Sequence, residues 1–553
     1  MRGVFLFPFL FAACVTRPPE RPAAAPKPIF RDSAAETGLR FTHATGETGE
    51  FLMPEIMGAG VAVFDMDRDG DLDVYFVQSS GAGKLYRNEL VPSGTMKFTD
   101  ATAGSGIAYA GYGMGAATGD IDNDGDLDLL ITGWGSRALY RNEGGGKFRE
   151  LPFPAPPVAH QWGTSASFFD YDRDGKLDLV VLSYVNFSRG GNKTCQAPTG
   201  ERDYCTPRAY SPMAARLYRN TGDGVFADVT AQSGIDRALG PGLGVAALDL
   251  NADGWPDLFV ANDTAQNHIW LNQRNGTFRE HGVESGAAYS EDGVAKAGMG
   301  VAAGDYDQDG DDDLFVVNLM REGATLFRND TQTAGGGIPV FLDVARSSGV
   351  YPATFAYTGF GTDFFDYDND GALDLFIANG AVTLREDRRG ERRPFAETNL
   401  LLRGDGRGKF SDVSKLAGPV FAQAGIARGA AFGDLDNDGD QDILVTYNGG
   451  DARLLLNESS GTGWAAVELE APVTFGAKVT LFREDLRPLV RRVHTDSSYC
   501  SASASRVHFG LGDKAGIDSI EVEWPDGTRE SWTGLSPNRL HALRKGTGRK
   551  LTA

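Results

Sequence analysis

The sequence predicts an all-β fold, a seven-bladed β-propeller followed by a small β-rich C-terminal domain. Three observations carry this. A nine-residue acidic loop of the form D-x-[DN]-x-D-G-x-x-D occurs seven times, starting at Asp65, Asp120, Asp170, Asp249, Asp305, Asp366 and Asp434. Each copy sits between a small-residue strand such as GMGVAAGD and a β-branched or aromatic strand such as LDVYFVQ. An LYRN-like segment and an F-x-D segment recur in register, so each unit holds four short strands separated by Gly, Asn and Asp turns. Four strands in each of seven units read as propeller blades rather than tandem open hairpins.

The elements follow in chain order. Residues 1–13 hold one Arg, an apolar run and small residues before Cys14, which describes an export signal too short to span a membrane. The Phe11-Ala12-Ala13-Cys14 junction resembles a bacterial lipobox, so Cys14 is the expected lipidation site, with plain secretion as the alternative. The Pro-rich segment 14–29 suits a stiff tether. The propeller is expected over 30–457. Glycine lies five residues before the loop in six copies, with Ser165 in the seventh, as a strand crowded at the axis requires. F-x-D strands start at Phe30, Phe98, Phe148, Phe226, Phe278, Phe341 and Phe410, one before each loop. The last unit ends near Asn457 without one, so the Phe30 strand is expected to complete it and close the ring. The β-rich tail spans 463–548.

The loops are not helix–loop–helix calcium sites, because position 12 is apolar in every copy and both flanks are strands. The nine-residue core is still an oxygen cage, with ligands at positions 1, 3, 5 and 9 and Gly at 6 for the sharp turn. The expected ligands are Asp65, Asp67, Asp69 and Asp73 in the first loop, and Asp120, Asp122, Asp124 and Asp128 in the second. The third has Asp170, Asp172, Asp174 and Asp178; the fourth has Asp249, Asn251, Asp253 and Asp257, one charge fewer. The fifth has Asp305, Asp307, Asp309 and Asp313, the sixth Asp366, Asp368, Asp370 and Asp374, and the seventh Asp434, Asp436, Asp438 and Asp442. Hard oxygen donors on flexible loops select Ca²⁺ over Zn²⁺ and Mg²⁺, so up to about seven structural calcium ions are expected.

Composition agrees. The net charge of −22 argues against a nucleic-acid partner, and 32 of the 75 carboxylates fall in these loops. No phosphate-binding loop, dinucleotide fingerprint, G-x-S-x-G elbow or zinc spacing is present, and the seven histidines are scattered. No nucleotide partner or catalytic residue is assigned. Cys195 and Cys205 can close a short disulfide loop in an exported protein, while Cys500 reads as a small buried hydrophobe. The His160-Gln161-Trp162 stretch reads as core or rim, with pocket lining as the sharper possibility. The arginine-rich insertion at 384–395 reads as a solvated loop, or as a patch for an acidic ligand.

The loops and their flanking strands resemble the FG-GAP (VCBS-type) repeats of integrin α-chain propellers and bacterial surface proteins, over roughly 30–457. The tail segments FGAKVTLFRE, SSYCSAS, RVHFGLGD and IDSIEVEWPDG resemble the ASPIC/UnbV domain of cartilage-acidic-protein-like proteins. That resemblance implies calcium binding outside the cytoplasm. The expected function is a lipid-anchored module at the cell envelope that binds or adheres to an extracellular protein or glycan. The alternative is an enzyme, a hydrolase or secondary-metabolite tailoring enzyme, working in the central propeller pocket.

Overall fold

The computed structural model describes residues 29–155, 158–331, 337–388, 390–459, 462–484, 486–513 and 516–551; Cys14 and the export signal lie outside them. Seven four-stranded antiparallel sheets surround one axis. In blade 1 the strands are Val61–Phe64, Asp73–Phe76, Lys84–Asn88 and Phe98–Asp100, from axis to rim. The inner strands of blades 2 to 7 are Tyr112–Gly119, Gly163–Phe169, Gly242–Leu248, Val301–Gly304, Gly359–Phe365 and Ala427–Gly433. Phe30–Asp32 pairs with Arg453–Asn457 as the outer strand of blade 7, with Phe30 opposite Asn457. The ring is therefore closed by the N-terminal strand, which removes an open sheet edge.

The second strands are buried on both faces between neighbouring blades, which explains runs such as Leu129-Leu130-Ile131 and Leu258-Phe259-Val260 with almost no exposure. Adjacent blades share apolar clusters, for example Phe365, Phe376 and Phe432 between blades 6 and 7.

The C-terminal domain is two small sheets. One is three-stranded, Val507–Gly512, Gly463–Glu470 and Leu540–Arg544; the other is five-stranded around Lys478–Phe482 and Ser519–Glu523. Its core residues Val479, Phe509, Ile520 and Trp524 join one continuous cluster with Ile121, Phe168 and Leu179 of blades 2 and 3. The domain thus sits on the face of the ring that carries the acidic loops.

From this domain the segment Thr495–Ser503 runs into the propeller axis and bonds to the inner strand of every blade. Val63 N–H donates to the Ala502 carbonyl (3.0 Å), Ala116 N–H to that of Cys500 (3.1 Å), and Val301 N–H to that of Ser498 (3.0 Å). Ser165 Oγ accepts from the Cys500 N–H (2.9 Å), and Asp496 Oδ2 accepts from Ala247 N–H (2.8 Å). Ser498 Oγ accepts from Thr362 N–H and donates to the Ala430 carbonyl (2.7 Å). This segment explains two of the glycines five residues before the loops, since a Cβ on Gly60 would lie 1.6 Å from the Cys500 carbonyl oxygen and one on Gly429 2.6 Å from Ser501 Oγ. At Gly300 and Gly361 the added carbon would instead meet the backbone of the next inner strand, 1.9 Å from the Phe360 carbonyl oxygen and 2.5 Å from the Ala430 nitrogen.

The opposite mouth is covered by the lead-in. Leu52, Met53, Ile56 and Met57 are buried there around the short helix Pro54–Met57. The fully buried Arg428 donates from Nε and Nη2 to the Ile56 carbonyl and lies over the Phe360 ring. Tyr499 of the axial segment donates to the Met57 carbonyl (3.1 Å), so plug and cover meet. The expected central pocket is therefore filled by the chain itself, which corrects the location assumed for an enzymatic site. Trp162 is buried against Tyr184 and Phe187, while His160 stands at the rim on Asn186 Oδ1 (2.6 Å).

Gly60→Val should lower the unfolding free energy by about 3 kcal/mol or more, because the new side chain meets backbone that cannot retreat. Gly190→Ala, where nothing lies within 4 Å of the added carbon, should change it by less than about 0.5 kcal/mol. Thermal or denaturant melts in millimolar calcium read both; equal stability of the two variants would show that the axis is loosely filled.

Candidate metal centres

Each acidic loop joins the inner strand to the second strand. The turn is built from two backbone irregularities that repeat in every copy. Position 4 is left-handed (Arg68, Asn123, Arg173, Ala252, Gln308, Asn369 and Asn437, φ between 54° and 62°), and the glycine at position 6 has φ between 84° and 102°. A side chain at position 6 would be strained, which accounts for glycine there in all seven loops.

The first carboxylate curls the loop around itself. In the sixth loop Asp366 Oδ1 accepts from Asp370 N–H (3.1 Å) and Oδ2 from Gly371 N–H (2.8 Å). The ninth carboxylate ties the loop to the blade. Asp374 Oδ2 accepts from Tyr367 N–H (3.0 Å) and Oδ1 from Gly404 N–H on the third strand (2.8 Å). The same pair of bonds recurs at Asp73, Asp128, Asp178, Asp257, Asp313 and Asp442, where the third-strand donor is the asparagine of the LYRN-like segment. All seven ninth-position aspartates are fully buried. The fifth carboxylate acts differently: Asp370 Oδ1 accepts from Ala372 N–H at position 7 (2.9 Å), and the other copies do likewise.

Of the four ligands expected per loop, the structure brings three together most closely. In loops 1, 2, 3, 5 and 6, one oxygen from each of positions 1, 3 and 9 lies within 4.8 Å of the others. The third-position Oδ1 atoms of Asp67, Asp122, Asp307, Asp368 and Asp436 are buried with no hydrogen-bond partner, as is Asp65 Oδ1. Orphaned anionic oxygens converging on a point fit a hard cation, which would satisfy them and neutralise the cluster. Asn251 in loop 4 instead donates to the Gly337 carbonyl, so this loop fits least well. The cation would be held by positions 1, 3 and 9 and would supply charge and cross-linking.

Burial drives the carboxyl groups upward. It raises the ninth-position groups of Asp73 and Asp178 to about 9 and Asp128 to about 8, and the first-position groups of Asp120 and Asp170 to about 6. Arginines of the LYRN-like segments offset part of the charge: Arg87 pairs with Asp67 (2.8 Å), Arg219 with Asp172 (2.6 Å) and Arg403 with Asp368 (2.8 Å). In blade 7 the equivalent residue is Leu456, so that loop lacks this counter-charge.

Sequence reasoning missed how the loops join one another. The position-4 side chain reaches the position-6 carbonyl of the next loop: Asn123 to Gly175 (2.9 Å), Gln308 to Gly371 (3.1 Å), Asn369 to Gly439 (3.3 Å) and Asn437 to Gly70 (3.1 Å). The recurrence of Asn or Gln at position 4 in four loops was the available signal. Elsewhere, Cys195 and Cys205 form a disulfide, and Cys500 is buried at the axis with its thiol pushed up to about 12 by burial.

Asp368→Asn should have opposite effects in the two metal states. In chelator it relieves the repulsion among the converging carboxylates, which Arg403 offsets only in part, and should raise stability by about 1 kcal/mol. In millimolar calcium it should lower stability by a similar amount and remove one ion per chain. Melting with and without chelator reads the sign, and a loss in both conditions would rule out a cation at this oxygen.

The raised carboxyl groups set a direction for pH. Because the folded, metal-free chain holds protons that the unfolded chain releases near pH 4, its stability should fall as pH rises from about 4 towards 9. Calcium should flatten that slope. Melting at pH 5 and pH 8 in chelator tests this, and a metal-free protein more stable at pH 8 would contradict the electrostatics.

Comparison with known proteins accords with this geometry. A family described as "FG-GAP-like repeat" matches residues 65–131, 120–181, 204–260, 249–316 and 366–445, and one described as "ASPIC and UnbV" matches 471–550. Cartilage acidic protein 1 of Xenopus tropicalis is 25% identical over 506 residues, covering 86% of this chain and 71% of its own. The Homo sapiens protein is 24% identical over 504 residues, covering 86% and 70%. The solved structure titled "YCF48 bound to D1 peptide" aligns with a TM-score of 0.39 at 8% identity, over 72% of this chain and 91% of that one. With the repeats, the C-terminal domain and the loop geometry in agreement, the chain belongs to the FG-GAP-like repeat family with an ASPIC and UnbV domain, and is homologous to cartilage acidic protein 1.

Proposed function

We propose that the chain is an exported, calcium-stapled propeller acting as a binding or adhesion module for an extracellular protein or glycan, held at the cell envelope by a lipid on Cys14. One observation carries the choice of binding over axial chemistry: the channel where a propeller would seat a small substrate is filled from both ends by Thr495–Ser503 and the Leu52–Met57 cover. Ligands are left the outer faces and seams of a rigid ring. The Cys195–Cys205 disulfide supports export, because such bonds persist in oxidising compartments. Two rim insertions support a displayed surface. Tyr204 of the disulfide insertion packs between Phe51 and Phe395, and Leu384 N–H donates to Asp203 (2.7 Å), so both insertions are fixed on the lead-in opposite the acidic loops. Inserted loops on a rigid scaffold are common binding elements.

Elemental analysis of the purified mature chain in millimolar calcium should give about seven ions per chain, with melting temperature rising alongside. A screen of surface glycans and extracted proteins, with calcium and then with chelator, should yield a saturable, calcium-dependent ligand. A count near zero with a stable fold would remove the calcium reading. Turnover of a small molecule with no such ligand would replace the binding reading with an enzymatic one.

A further inference from the structure

A cleft of about 340 Å³ opens at the seam between blades 7 and 1 and the C-terminal domain. Its volume lies at the lower end of the range for small-molecule sites, roughly 300–1,000 Å³. The half-buried Trp464 indole lies in its wall, almost parallel to the His508 ring (interplanar angle 22°).

Some polar groups around the cleft are already engaged. Arg506 pairs with Asp65 (3.6 Å) and donates to the Gly70 carbonyl (3.2 Å). Others retain unused capacity among the described residues. Asn538 Oδ1 accepts from Trp464 N–H (3.1 Å), which leaves its amide N–H groups free. Gln441 Oε1 accepts from Asp366 N–H (3.4 Å), again leaving the amide donors. Arg539 is exposed and forms no ion pair among the described residues. His508 Nε2 faces the Gly439 carbonyl at 3.0 Å and must carry the proton there. Its Nδ1 is shut away from the cleft opening, so the ring serves as packing for Trp464 and not as a ligand contact.

We infer that this cleft binds a uronic acid sugar through the donors of Arg539, Asn538 and Gln441 and the ring of Trp464. The chemistry narrows the class step by step. An unpaired guanidinium on a chain of net charge −22 selects a carboxylate. A simple inorganic or carboxylate anion leaves the Asn538 and Gln441 amide donors and the Trp464 ring unused. Those donors suit the oxygens of ring hydroxyls, and an indole face suits the C–H face of a pyranose. Asp434 of the seventh acidic loop also lines the cleft, and its charge opposes an anionic ligand unless that loop holds its cation. The site is therefore expected to work only in calcium. This inference rests on the binding-module reading and gives it a location and a ligand class.

The test is titration of the full mature chain with cellobiouronic acid, and with cellobiose as the neutral counterpart, in millimolar calcium. One saturable site is expected, with the acid bound at least roughly tenfold tighter than cellobiose. Arg539→Gln, at an exposed position, should erase that preference. Asn538→Asp keeps the acceptor for Trp464 N–H and should repel the acid alone. Absence of saturable binding by the wild-type chain would overturn the proposal, as would binding of the acid that both variants retain. A ligand from the calcium-dependent screen that ignores both substitutions would leave the binding-module reading standing and remove this site from it.

Discussion

The fold depends on seven buried aspartates at the ninth position of the acidic loops. Each accepts one N–H from its own loop and one from the third strand of its blade, and each is shut away from water. A carboxylate accepting two backbone donors cross-links a turn to a sheet more rigidly than a neutral side chain can. The same burial makes the charge costly, and two further carboxylates converge on it. The strongest cross-link in each blade is therefore also its largest electrostatic liability, and a cation resolves both at once.

This constraint does not stay within a blade. The left-handed residue at position 4 turns its side chain towards the next loop, and the carbonyl it reaches belongs to the position-6 glycine of that loop. The C-terminal domain contacts three of the same carbonyls, Arg491 on Gly371 (3.5 Å), His508 on Gly439 (3.0 Å) and Arg506 on Gly70 (3.2 Å), and Lys478 reaches the equivalent carbonyl of Gly310 (3.0 Å). In loops 1, 6 and 7 one atom thus receives both the neighbouring loop and the second domain. Disturbing a loop moves the platform on which the domain, and with it the axial segment, is seated.

The seven-unit period, the four strands per unit and the closing role of the Phe30 strand were legible because they are local patterns repeated in register. The acidic loops were legible for the same reason, although the bond that position 5 makes within its own turn was not, since spacing alone does not show where a carboxylate bonds. The axial segment could not be read. Ser497-Ser498-Tyr499-Cys500-Ser501 has no periodicity of its own, and its partners lie in seven strands far away in sequence. Glycine and Ser165 on the inner strands signalled crowding at the axis, but not what crowds it. Cys500, read from the sequence as a small buried hydrophobe, is buried at the axis beside Gly115 and Ser165.

The second domain also enters the charge balance of the ring. Arg492 pairs with Asp312 in loop 5, Arg506 with Asp65 in loop 1, and the half-buried Arg491 lies in the field of both Asp305 and Asp366. These guanidiniums are fixed positive charges at loops whose remaining charge a diffusible cation must meet. Burying them is costly unless the aspartates are ionised, so the domain favours the charged form of the loops it touches. Loop 2 lies away from these arginines, and its compensation comes from within the propeller, where Arg68 bonds the Asp124 carbonyl and Arg141 pairs with Asp122. The ring therefore has two classes of loop. One is held partly by the C-terminal domain; the other depends on its own blade and would lean more heavily on a bound cation.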